Sequence, residues 1–224
     1  MCLILLGWKV HPEYPLIVAA NRDEFHARPA AGAAFWPDQP GILAGRDLEA
    51  RGTWMGVSRS GKFSAVTNYR GAFETRAAES RGALATRFLQ GDEPADAYIA
   101  SVWKKADSYS GFNLLAADGP SLWWMSNRGG EPHRLDPGVH GLGNALLDTP
   151  ELDPAKAAFT GIVAAGPSVD SLFEALAARR ILNPQYGTRC STVLRRGRQG
   201  LRYAERSFDP AGEERETLQF DLPG

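Results

Sequence analysis

The sequence predicts an α+β fold built of stacked layers, and three observations predict it. Strand-like segments come in groups, helix-like segments come in pairs, and the two kinds of group alternate along the chain. The first two strand candidates are apolar throughout rather than alternating, which suggests strands covered on both faces. No strand–helix–strand unit repeats, so a repeating βαβ architecture does not fit.

Residues 3–8 and 16–20 read as the arms of a hairpin turned by His11-Pro12-Glu13-Tyr14-Pro15. The second arm runs straight into Asn21-Arg22-Asp23-Glu24 with no turn residue between, and a buried charge without a partner is costly. Residues 28–45 form a stretch punctuated by Pro and Gly. Short strands follow at 52–58 and 62–68, joined through Arg59-Ser60-Gly61. Ser80 is placed to cap a helix that ends before Gly91, and residues 94–105 form a second helix. Strands resume at 112–117 and 122–126, with Ala-Asp-Gly-Pro-Ser between them. Residues 154–164 and 169–180 make the second helical pair, and Val169, Phe173 and Leu176 mark an apolar stripe on its second member. The last strands are 188–195, 201–206 and 217–222, the first two meeting around Gly197 to Gly200. With no internal repeat, linker or low-complexity tract, residues 1–224 read as a single domain.

Composition excludes several classes. A formal net charge of −1 lacks the basic excess of a nucleic-acid binder. Cys2 and Cys190, the only cysteines, are too far apart for a CxxC zinc site and too few for a disulfide framework. The apolar run at 3–7 is too short for a membrane span and lacks the basic segment of a signal peptide. The expectation is a protein of a reducing, cytoplasmic compartment. His11, His26, His133 and His140 show no ligand spacing, so no metal is expected. "GLGNAL" at 141–146 lacks the third glycine of a dinucleotide fingerprint, and no other cofactor motif stands out. Arg195, Arg196 and Arg198 read as a solvated hairpin tip.

Chemistry points to Cys2. A free cysteine is ordinarily a small buried hydrophobe. Here, removal of Met1 would put a thiol and a free α-amine on one residue, and such an amine, with pKa near ~7.7–8.0, can take the proton of its own side chain. The hairpin also returns Asn21 to Glu24 to the neighbourhood of Cys2. Asp23 could then orient the amine and Arg22 balance its charge; Asn21 and Arg22 are candidate substrate-binding residues.

Five blocks carry a resemblance: Met1-Cys2, "NRDEFHARPA" at 21–30, "GRDLEARGTWMGVSRSGKFSAVTNYR" at 45–70, "GLGNALLDTP" at 141–150 and "YGTRCSTV" at 186–193. In this order they resemble the NRDE family, which includes the transport and Golgi organisation 2 proteins. One departure is that many members continue "LLDTP" with Trp-Pro-Lys, where this chain has Glu151-Leu152-Asp153-Pro154. More distantly the blocks are similar to cysteine N-terminal nucleophile hydrolases of the choloylglycine hydrolase and penicillin acylase type. That resemblance implies a four-layer αββα sandwich and cleavage of non-peptide amides. It implies Cys2 as nucleophile, Asp23 as its amine-orienting partner, Asn68 and Asn144 around the oxyanion, and Arg189 beside the cysteine. These types suit the chemistry, because amide donors stabilise developing negative charge and a guanidinium favours thiolate. Two functions follow. One is an amidohydrolase for a small amide or acyl compound. The other, implied by the family resemblance, is a non-catalytic ligand-handling protein for haem or lipid.

Overall fold

The computed structural model describes residues 2–71 and 79–224; Met1 lies outside the described residues. The first strands are β1 (Leu3–Trp8), β2 (Leu16–Phe25), β3 (Ala30–Trp36), β4 (Gln39–Asp47), β5 (Met55–Ser58) and β6 (Phe63–Asn68). Helices α1 (Gly82–Gln90) and α2 (Ala95–Trp103) follow, then β7 (Phe112–Ala117), β8 (Leu122–Ser126), β9 (His133–Arg134) and β10 (Gly138–Leu142). Helices α3 (Asp153–Ala165) and α4 (Val169–Ala177) precede β11 (Tyr186–Gly197), β12 (Gly200–Phe208) and β13 (Glu214–Pro223). The chain divides into two compact units. One holds Met1–Arg28, Asp136–Gly143 and Leu147–Gly224; the other holds Pro29–Leu135 and Asn144–Leu146.

The first unit contains a six-stranded antiparallel sheet in the order β10-β1-β2-β11-β12-β13. Every residue of β1 is buried, as continuous apolarity predicts. One parity of the strands, including Leu3, Leu5, Ile17, Ala19, Val193 and Ala204, packs with Phe159 and Val163 of α3 and Leu172, Phe173 and Leu176 of α4. The Ser168 hydroxyl starts α4 by accepting from the Ser171 amide at 3.0 Å, which satisfies one of the helix's orphan donors.

The second unit contains a seven-stranded antiparallel sheet in the order β3-β4-β5-β6-β7-β8-β9. Val66, Leu114, Ala116 and Met125 of its strands pack with Leu84, Phe88, Tyr98, Ile99 and Val102 of α1 and α2. Close approach needs a glycine in β5: a Cβ at Gly56 would stand 2.6 Å from Ala44 Cβ and 3.1 Å from Leu89 Cδ1.

One sequence expectation changes, and two stretches without an assignment prove to hold strands. β2 does not end at Ala20 but runs to Phe25, because β11 pairs with it along its whole length, from Leu16 opposite Arg196 to Phe25 opposite Tyr186. Asn21, Arg22 and Asp23 are therefore buried within a strand rather than pushed out of its end. The punctuated stretch 28–45 holds two strands, β3 and β4. Their Ala and Gly residues show little β propensity, yet Ala33 and Ala44 are buried, and Trp36 packs with Ile42, Ala44 and Leu89. β10 is likewise a glycine-bearing strand, held by its pairing with β1.

Candidate active site

Cys2 stands immediately before β1, where β1 pairs with β2 so that Leu3 lies opposite Asn21. The Cys2 thiol is directed at the backbone carbonyl of Asp23, with Sγ 3.9 Å from that oxygen. Burial pushes the thiol above its usual pKa and the backbone of Asp23 draws it down; the negative charge of Asp23 raises it, and the positive charge of Arg22 lowers it. The balance lies above the usual value, so the thiol of the chain that still carries Met1 favours its neutral form. Tyr186 donates its hydroxyl to the same Asp23 carbonyl at 3.1 Å and packs edge-on against Phe25, centroids 5.2 Å apart. Burial, with the negative charges of Asp23 and Glu24 nearby, keeps the Tyr186 phenol protonated far into the alkaline range.

The Asp23 side chain is held independently of its backbone. Its Oδ1 accepts from the Thr188 hydroxyl at 2.6 Å, and both residues are buried. Thr188 was not among the residues the sequence pointed to, although it sits inside the "YGTRC" block. Arg22 is also buried, with Glu24 as a distant ion partner at 3.8 Å.

Asn21 has a different occupation. It is 0% exposed; its Nδ2 donates to the Leu176 carbonyl at 3.2 Å, and its Oδ1 accepts from Ser191 Oγ at 2.6 Å. Those bonds tie β2 to α4 and to β11, and they leave no surface of Asn21 for a ligand.

Arg189 occupies a β-bulge. β11 pairs Thr188 with Asp23 and then Cys190 with Arg22, so Arg189 is the extra residue. Its Nη1 donates to the carbonyls of Phe25, His26 and Arg28 at 3.0, 3.3 and 3.0 Å. The guanidinium thus fastens the chain leaving β2, and Arg22 is the arginine whose charge bears on the Cys2 thiol. Cys190 is buried, and burial first, then the nearby Glu205 charge, holds its thiol well above the usual value.

Asn68 and Asn144 belong to the second unit and come together there. Asn144 Nδ2 donates to the Asn68 carbonyl at 2.7 Å, and the Arg70 amide donates to the Asn144 carbonyl at 2.7 Å. A primary amide carries two N–H donors, so this bond uses only one of those on Asn144. The Asn68 side chain closes β6 in an exposed position.

Among the described residues no group of three or more His, Cys, Asp or Glu is placed to hold a metal ion. His140 instead pairs with Asp148, Nδ1 to Oδ2 at 2.8 Å. No helix of the described chain is long and apolar enough to cross a membrane. The basic hairpin tip is only partly solvated, because Arg195 donates to the Pro167 carbonyl at 2.7 Å and lies over the Tyr14 ring.

Solved structures with the same architecture include a mutant of the conjugated bile acid hydrolase from Clostridium perfringens. It matches with a TM-score of 0.60 at 8% identity, over 99% of this chain and 92% of that one. Penicillin V acylase from Agrobacterium tumefaciens matches with a TM-score of 0.55 at 12% identity, over 99% of this chain and 86% of that one. The Caenorhabditis elegans ortholog of N-acylethanolamine-hydrolyzing acid amidase gives 0.51 at 11%, over 86% of this chain and 92% of that one. At such identities the likeness establishes the fold, an α+β fold of the N-terminal nucleophile hydrolase type. Sequence relatives are much nearer. The bovine Transport and Golgi organization protein 2 homolog is 36% identical over an alignment of 274 residues that spans 99% of each chain. The mouse homolog is 42% identical over 163 residues, 67% of this chain and 59% of its own. Residues 1–184 match the model of the family described as Transport and Golgi organisation 2, and with the bovine relative aligned end to end, this chain belongs to that family.

Proposed function

We propose that this protein is an N-terminal-cysteine amidohydrolase acting on a small non-peptide amide or acyl compound. The observation that carries the reading is the arrangement at Cys2. Its thiol lies against the backbone of Asp23, and the carboxylate of that same Asp23 is fixed by a buried hydroxyl. Three structures of this fold, an acylase, an acid amidase and a conjugated bile acid hydrolase, support the direction of the chemistry by analogy.

In this reading Met1 is removed and the α-amine of Cys2 takes the thiol proton. Sγ attacks the substrate carbonyl carbon, and the oxyanion that forms is met by amide donors. Collapse breaks the carbon–nitrogen bond, and the departing amine leaves with the proton held by the α-ammonium. Water then attacks the thioester, gives its proton to the α-amine, and releases the carboxylic acid and the thiol. Removal of Met1 also takes Cys2 out of the state in which burial disfavours its thiolate, since the new amine brings both a base and, once protonated, a positive charge.

The test compares processed protein, confirmed by intact mass, with protein carrying one extra residue before Cys2. Processed protein should label at Cys2 with limiting iodoacetamide well before Cys190, and should release amine from a panel of N-acyl amides. The extended protein and Cys2→Ala should release none. Equal labelling of Cys2 in both forms, with no turnover, overturns the reading. A low-micromolar haem complex lost on changing one Cys, His or Tyr would favour ligand carriage instead.

A further inference from the structure

We propose that Thr188 is the positioning residue that holds the Asp23 carboxylate ready for the α-amine of Cys2; the inference rests on the N-terminal nucleophile reading above. A carboxylate on a surface loop rotates freely and would meet the amine only part of the time. Asp23 is not in that situation. It is 5% exposed and lies directly opposite Thr188, itself 3% exposed, in the β2–β11 pair.

The direction of the Thr188–Asp23 bond is set by a third group. The Ile181 amide donates to Thr188 Oγ1 at 2.9 Å, while the Thr188 amide donates to the Ile181 carbonyl at 2.9 Å. With one lone pair of the hydroxyl engaged by Ile181, its proton is directed to Asp23 Oδ1 at 2.6 Å. Threonine is also stiff at χ1, so the hydroxyl has little freedom to turn away. A carboxylate has about four acceptor sites, more than one hydroxyl can fill.

The bulge makes this geometry available. Ser191 and Val193 point to the α4 side of the sheet, as their partners Asn21 and Ala19 do. In regular alternation Thr188 would share the opposite face with Cys190. The extra residue at Arg189 returns Thr188 to the face of Asp23. Asp23 therefore gains a buried donor that an unbulged strand would turn away.

The experiment measures iodoacetamide labelling of Cys2 by mass spectrometry across pH. It uses processed protein and protein with one extra residue before Cys2, as wild type, Thr188→Val and Thr188→Ser. The readout is the ratio of the processed to the extended rate. A purely structural defect changes both rates together and leaves the ratio alone. Wild type is expected to show a ratio of roughly tenfold or more near neutral pH. Thr188→Val should bring it close to one and move the midpoint of the pH profile, and Thr188→Ser should restore both. Asp23→Asn should lower the ratio as Val does, and Thr188→Val added to it should do nothing further. Should Thr188→Val fail to fold, Thr188→Ala serves in its place. A wild-type ratio well above one that survives loss of the hydroxyl overturns the assignment of Thr188 while leaving the nucleophile reading intact. A wild-type ratio near one overturns that reading and removes the task assigned to Thr188 with it.

Discussion

Asn21 and Ser191 face each other across the β2–β11 pair, and the Ser191 hydroxyl donates to Asn21 Oδ1 at 2.6 Å with both residues buried. The first residue of the loudest polar cluster in the sequence thus belongs to the scaffold beneath the site. Asn21→Ala strands the Ser191 hydroxyl and takes one of its donors from the Leu176 carbonyl, which keeps the Arg179 amide at 3.0 Å, and should cost about 2 kcal/mol of stability. Urea midpoints measured on Asn21→Ala, Ser191→Ala and the double variant should show a coupling between the two sites. Simple additivity would mean that the bond contributes nothing.

His140 and Asp148 give stability a bell-shaped pH dependence. Burial disfavours the His140 charge, but its hydrogen bonds to the Asp148 carboxylate and the Asp136 carbonyl prevail and raise its pKa. Burial likewise opposes the Asp148 charge, and bonds from His140 and the Gly141 amide prevail and lower its pKa. A raised histidine stabilises the fold fully below its unfolded pKa of about 6.5, and this contribution is lost as pH rises through the higher folded value. A depressed aspartate stabilises above its unfolded pKa of about 3.9 and loses that contribution as pH falls through the lower folded value. Stability should therefore fall by about 1 kcal/mol on the alkaline side of the histidine. His140→Gln should flatten that limb when urea midpoints are followed from pH 5 to pH 9, roughly spanning the titration.

Lys62 closes the end of α1. Its ammonium donates to the Gly91 and Glu93 carbonyls, each at 2.6 Å, and lies 4.5 Å from the centre of the Phe88 ring. Lys62→Met keeps most of the buried stem but leaves both carbonyls short of a donor. A loss of about 2 kcal/mol is expected, with amide exchange rising first in α1.

Gly56→Ala should be tolerated less well than its small size suggests. The added methyl meets the Ala44 methyl and the Leu43 carbonyl, the latter at 3.0 Å, and neither neighbour is a flexible side-chain tip. A loss of about 1–3 kcal/mol is expected from the forced shift of strands or helix. Thermal midpoints that match wild type would show that the sheet yields there without strain.

Long apolar or periodic segments were legible in the sequence because their own residues specify them: β1, β7, β8 and all four helices fall within a few residues of their expected bounds. β3, β4 and β10 were not, since Ala- and Gly-bearing strands take their conformation from the partners they pair with. The extension of β2 through Asn21, Arg22 and Asp23 was hidden for a related reason. Charge argues against burial locally, while the bonds that permit it come from residues about 165 positions away, Thr188 for Asp23 and Ser191 for Asn21. Cys2 and Asp23 were visible as residue types at the two ends of one hairpin. Thr188 was invisible because its importance depends on strand register, and Arg189, its conspicuous neighbour, drew the attention a guanidinium attracts.

The bulge at Arg189 also separates two tasks of β11, the register of its side chains and the hold that Arg189 has on the chain beyond β2. Substituting Arg189 costs a clasp on the carbonyls of residues 25, 26 and 28 but leaves every other side chain on its present side. Removing the residue altogether leaves Thr188 directly next to Cys190, and the pairs Thr188–Asp23 and Cys190–Arg22 then follow one another in regular succession. Plain alternation keeps Thr188 on the face of Asp23 and Cys190 on the other, so the hydroxyl still meets the carboxylate. What the extra residue adds is the clasp on the chain leaving β2, and among relatives its loss should loosen that clasp while the Thr188–Asp23 bond stands.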